Sequence, residues 1–155
     1  MERFRSISTR SDGAGYDRGT MIELRRTWRF CASHRYWRDE WTPAENAAAF
    51  GKCALPHGHG HNYRVTLTIS GAPDPKTGMI VDLPTLDAIV LERVVDVFDH
   101  RNINAEIPYF RNVIPTTENL ASFIFAAVAP ALPRGRLVAV DLEEDEFLSA
   151  TCRAD

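Results

Sequence analysis

Between Ile22 and His34 apolar and polar side chains alternate. Phe30, Ala32 and His34 fall on one face of an extended chain, Cys31 and Ser33 on the other. Period-two alternation marks a strand with one buried face, so this segment predicts a strand. The same signature returns from His61 to Ser70, where Tyr63, Val65, Leu67 and Ile69 oppose Arg64, Thr66 and Thr68. Asp74-Pro75-Lys76-Thr77-Gly78 carries turn chemistry and Met79-Ile80-Val81 is apolar again, so residues 61–81 predict a hairpin. The period then changes. Leu83, Leu86, Ile89, Val90, Val94 and Val97 recur at helical spacing behind Asp82, a capping residue type. Leu120, Phe123, Ile124, Ala127 and Val128 repeat the pattern behind Thr116 and Thr117, and Pro130 and Pro133 end it. A shorter helix is predicted after Thr42-Pro43, with Glu45 three residues from the cap. Leu137–Glu144 predicts a last strand with Val138, Val140, Leu142 and Glu144 on one side.

Strand, hairpin, helix, helix, strand reads as α+β: an antiparallel sheet with helices on one face. A length of 155 residues and a hydrophobic fraction of 45% suit a single domain with one core, placed at residues 21–155. Residues 1–20 are rich in Arg, Ser and Gly without hydrophobic period, and predict a disordered extension. Met21 stands at the boundary as a second possible start. A net charge of −3 lacks the basic surplus of nucleic-acid binders, and no apolar run is long enough to span a bilayer. Three widely spaced cysteines, Cys31, Cys53 and Cys152, do not form a disulfide framework and fit a reducing cytoplasm.

Three of the five histidines lie in His57-Gly58-His59-Gly60-His61. Residues two apart on a strand point the same way, so His59 and His61 suit one shared ion if the second strand begins near His59. His34, at the end of the first strand, reaches the same centre if the two strands pair. Three imidazoles fit zinc and leave a coordination position open, the arrangement of a catalytic site. The alternative is a polar Gly/His loop without metal, which a His-Gly-His run leading into a clean strand argues against. His57 is left over, beside the centre or in solvent.

These residues resemble a known family. Phe30-Cys31-Ala32-Ser33-His34-Arg35 is similar to the first zinc-ligand motif of the 6-pyruvoyl-tetrahydropterin synthases. Phe50-Gly51-Lys52-Cys53 with Pro56 and Gly58-His59-Gly60-His61-Asn62-Tyr63 resembles their nucleophile-and-zinc segment. Asp99-His100-Arg101-Asn102 and Thr116-Thr117-Glu118-Asn119 resemble two further motifs, and the likeness runs nearly colinearly from about Met21 to the end. It implies the tunnelling fold (T-fold) in β-β-α-α-β order, with two helices on one face. It also implies rings of subunits, commonly a homohexamer of two stacked trimers with active sites between subunits.

The implied activity is a zinc-dependent lyase that converts 7,8-dihydroneopterin triphosphate to 6-pyruvoyl-tetrahydropterin and releases triphosphate. Zn2+ on His34, His59 and His61 acidifies the C–H bonds of the substrate's side chain. Cys53 matches the family base, and needs a cationic neighbourhood such as Lys52 or the metal to be a thiolate. Asp99 and His100 match the pair that tunes proton transfer, although a helix C-terminus also accounts for His100. The pterin ring needs a carboxylate from the last strand. Alternation selects Glu144 over Glu143, with a slip of one residue left open. Thr116, Thr117 and Glu118 are further substrate-binding candidates, and both threonines are equally suited to capping.

The gap from Cys53 to His59 and His61 fits the pyruvoyl type. Counted from Cys53 to His57 and His59 it fits the shorter spacing of 6-carboxytetrahydropterin synthase of the queuosine (deazaguanine) pathway, which releases acetaldehyde from the same substrate. A non-catalytic zinc or pterin binder and a zinc hydrolase are more distant readings, and the hydrolase leaves Cys53 unexplained.

Overall fold

The computed structural model describes residues 21–155; the extension predicted for residues 1–20 lies outside the described residues. Two twelve-residue strands dominate the fold, β1 (Glu23–His34) and β2 (His59–Ser70), paired antiparallel along their full length. Between them lies α1 (Pro43–Phe50). Its start is the predicted capping box: Thr42 accepts from the Glu45 amide, and the Glu45 carboxylate accepts from the Thr42 amide at 2.8 Å. Next comes α2 (Leu83–Val90), capped by Asp82, which runs on through a π-helical turn at Leu91–Val95 to Phe98. A two-residue strand β3 (Arg101–Asn102), a single turn α3 (Ile103–Glu106) and the longer α4 (Thr117–Val128) follow. Strands β4 (Arg136–Glu143) and β5 (Ser149–Arg153) close the chain.

The sheet order is β3-β1-β2-β4-β5. One face carries the core. Phe30, Tyr63, Val65, Leu67, Val140 and Leu142 pack against Leu86, Val90, Val94 and Phe98 of α2 and Leu120, Ile124 and Val128 of α4. The other face is polar, with ion pairs Arg25–Asp141 and Arg64–Glu143 laid across the strands.

Four expectations need correction. Residues 61–81 form no hairpin: β1 and β4 occupy both sides of β2, so no ladder remains for Met79–Val81. Ile80 and Val81 are buried as a bend instead, closed by Asp74 N–H donating to the Met79 carbonyl at 2.9 Å. Val138 does not share the face of Val140, because a β-bulge skips it and puts Leu137 on the core side. The sheet is not wholly antiparallel, since β3 pairs parallel with β1 at Ala32 and Ser33. Strand β5, whose alternation is short and whose outward residues are polar, is an element beyond those the pattern predicts.

Candidate metal centre and active site

The register of β1 on β2 sets Phe30 opposite Tyr63, Ala32 opposite His61 and His34 opposite His59. A slip of one residue would turn one strand's imidazoles to the far face, so the apolar alternation of both strands also aims the histidines. Gly58 starts this geometry. Its φ is +61°, and a Cβ there would lie 2.3 Å from the His34 carbonyl oxygen. Glycine is therefore required for the loop to pass under the end of β1 and deliver His59.

At the core-facing end of these strands His34, His59, His61 and Glu144 bring ligand atoms within 4.8 Å of one another. His34 Nε2 is 3.2 Å from His59 Nε2, and His61 Nε2 is 3.2 Å from Glu144 Oε1. His34 and Glu144 are buried, and His34 is fully out of solvent. Burial first, then the neighbouring His61 and His59 rings, push the His34 imidazole down to about 4, against a hydrogen bond to the Pro115 main chain. Burial and His61 also lower His59, with Glu144 opposing. Burial thus biases His34 and His59 towards the neutral form, and their ring nitrogens converge on His61 and Glu144. His61 Nε2 is buried and makes no hydrogen bond, because its approach to Glu144 is close but poorly aligned. An orphaned imidazole nitrogen aimed at two other imidazole nitrogens and a carboxylate is what a divalent cation site requires, and the donor set fits zinc.

Cys53 sits in a 3-10 turn (Gly51–Ala54), with Sγ 3.9 Å from His59 Nε2. The turn is pinned to the segment just after β1 by Tyr36 N–H donating to the Cys53 carbonyl at 2.8 Å. Burial and the Glu144 carboxylate raise the thiol above its ordinary value. Neither influence is cationic, so these two surroundings within one copy do not activate the thiol.

Glu144 is the carboxylate of the histidine cluster. Its Oε2 accepts from the Thr117 hydroxyl at 2.5 Å, and the Tyr36 hydroxyl stands 3.5 Å away. Glu143 points to the polar face and pairs with Arg64. The two threonines divide the work between them: Thr116 caps α4 by accepting from the Asn119 amide, while buried Thr117 turns inward to Glu144. Glu118 is exposed on the first turn of α4.

Asp99 and His100 form a hydrogen-bonded pair, Nδ1 to Oδ2 at 2.8 Å, on an exposed corner beside Cys31. Asp99 is held below the usual carboxylate range by the Cys31 amide and by His100. No hydrogen bond joins this pair to the histidine cluster among the described residues.

Two residues of the site carried no signal read as functional. Tyr63 places its hydroxyl 3.1 Å from His34 Nδ1, and Tyr36 packs against the His34 ring. With Nδ1–H donating to the phenol oxygen, Nε2 keeps the lone pair that faces the cluster. The clue lay in position alone: Tyr63 is two residues after His61, on the same face.

Comparison with known proteins matches this geometry to a lineage. The sequence profile of the 6-pyruvoyl tetrahydropterin synthase family covers residues 23–155. A 6-pyruvoyl tetrahydrobiopterin synthase of Pongo abelii is 40% identical over 86% of this chain and 92% of its own. One from Homo sapiens is 38% identical over 88% and 92%. The structure of Caenorhabditis elegans 6-pyruvoyl tetrahydropterin synthase superposes with a TM-score of 0.83 at 31% identity, covering 90% of this chain and all of that one. With the family profile matching residues 23–155 and these relatives matching along most of their length, this chain belongs to the 6-pyruvoyl tetrahydropterin synthase family.

Proposed function

We propose that the protein is a lyase that converts 7,8-dihydroneopterin triphosphate to 6-pyruvoyl-tetrahydropterin with loss of triphosphate, and that it uses Zn2+ held by His34, His59 and His61. The carrying observation is the buried convergence of three imidazoles with an orphaned His61 Nε2. Bound zinc supplies a Lewis acid for the hydroxyls of the substrate side chain. Cys53, 3.9 Å from His59, is placed to take a proton from a side-chain carbon lying over the histidines. Glu144 receives the pterin ring, and Thr117 fixes that carboxylate's orientation by donating to Oε2. Tyr63 and Tyr36 wall off the His34 side and exclude water from it.

Asp99 and His100 serve Cys53 across a boundary between copies, where the Nδ1–Oδ2 bond fixes the imidazole tautomer. Their exposed corner and lack of contact with the cluster support that placement, and with it a homohexamer of two trimers. Thr116 acts as a cap, and Glu118, exposed on the first turn of α4, is a further substrate-binding residue. A cytoplasmic setting suits three free cysteines. Among the described residues no helix is long and apolar enough to cross a membrane.

Incubation of zinc-loaded protein with dihydroneopterin triphosphate, followed by mass analysis, tests the reading. The expected products are 6-pyruvoyl-tetrahydropterin and triphosphate. Release of acetaldehyde would assign the 6-carboxytetrahydropterin synthase reaction instead, and an unchanged substrate would leave only a binding role.

A further inference from the structure

Outside the histidine centre, a second set of ligand-type side chains converges among the described residues. Cys31, Asp99 and His100 each offer a donor atom within 4.8 Å of the others. They lie on the opposite side of β1 from His34, because Cys31 is out of step with the buried Phe30, Ala32 and His34. Two bonds clip the strand to the corner. Cys31 N–H donates to Asp99 Oδ1 at 2.8 Å, and His100 N–H donates to the Cys31 carbonyl at 2.6 Å. His100 is held at φ +58°, the left-handed region that a side chain enters only when its surroundings fix it there. In a single copy its ring is 80% exposed, over a cleft of about 350 Å³ that Cys31, Asn62 and Arg101 also line. The nearby Arg101 guanidinium is turned onto Glu106 at 3.0 Å and does not neutralise Asp99.

We propose that Cys31, Asp99 and His100 form a second zinc site, and that zinc bound there inhibits the enzyme. Thiolate, imidazole and carboxylate are all donors that borderline-soft zinc accepts, with water in the fourth position. Tetrahedral zinc needs donors about 3.5 Å apart, which small side-chain rotations reach from the present spacing. Binding breaks the Cys31 S–H bond, forms an S–Zn bond and releases the proton to solvent. The His100 imidazole then holds the metal and no longer carries a proton for Cys53. The inhibition rests on the reading of Asp99 and His100 given above; the binding site does not.

The test uses the full chain carrying one zinc, titrated with further zinc while metal content and turnover of dihydroneopterin triphosphate are read. Wild type should rise to two zinc per chain and lose turnover about 100-fold or more, the loss expected when a general acid–base group is tied up. Cys31→Ser should stay at one zinc and keep its turnover in excess metal, its activity at one equivalent being the control for folding. Alkylation by iodoacetamide, followed at Cys31 by peptide mass, should slow on the second equivalent in wild type, a readout that needs neither variant nor turnover. One zinc per chain at every concentration, or a second zinc retained by Cys31→Ser, would overturn the site. A second zinc that protects Cys31 and leaves turnover intact would overturn the inhibition.

Discussion

A methyl group on Gly58 would lie 2.3 Å from the His34 carbonyl oxygen, and the backbone there has φ +61°. Both effects act against any side chain, so Gly58→Ala should destabilise the protein by about 2–4 kcal/mol in urea unfolding and release zinc. Tyr63→Phe removes the partner of His34 Nδ1 without opening a cavity. It should lower zinc affinity about 10–100-fold in chelator competition while leaving the fold intact. His34 also sets a pH dependence. Its folded value near 4 lies below the ordinary 6.5, so between those values the unfolded chain binds the proton more readily. The zinc-free protein should therefore keep full stability above pH 6.5 and lose it progressively as pH falls towards 4. The loss is on the order of 3 kcal/mol, measured by denaturant unfolding at each pH. The histidines themselves were legible in the chain because ligand spacing and strand period coincide at His59 and His61. The phenol behind His34 was not, since a tyrosine on a core-facing strand position looks the same whether it packs or also bonds a ligand.

Most elements followed from local chemistry. The Thr42–Glu45 capping box is formed as its residues predict, and Thr42→Ala should cost about 1 kcal/mol in thermal or urea unfolding. Where prediction failed, a long-range partner decided the outcome. Met79–Val81 has strand composition, yet β2 has no free side to receive it. Val138 continues an apolar alternation that only the pairing with β2 interrupts. In α2 the buried residues Leu86, Val90, Val94 and Phe98 recur every fourth position, which drifts around an ideal helix of 3.6 residues per turn. The π-helical turn at Leu91–Val95 widens the coil and cancels that drift, so Phe98 still faces the sheet and Asp99 emerges at Cys31. Periodicity alone shows the stripe but not the correction.

At the level of the molecule, β1 works on both of its sides. One side carries His34 into the interior, and the other carries Cys31 to the Asp99–His100 corner. A twisted sheet is one residue thick, so groups on its two sides look away from each other whatever their separation in sequence. A single copy then keeps Cys53 apart from the Asp99–His100 pair, and the proposed function has neighbouring copies lend each other what each lacks. Cys53→Ala and His100→Ala proteins, each inactive alone, should recover turnover when unfolded together and reassembled. Random mixing places an intact pair at roughly a quarter of the junctions, which sets the ceiling of the rescue. A blend as silent as its parents would mean that thiol and imidazole serve one another inside the same chain.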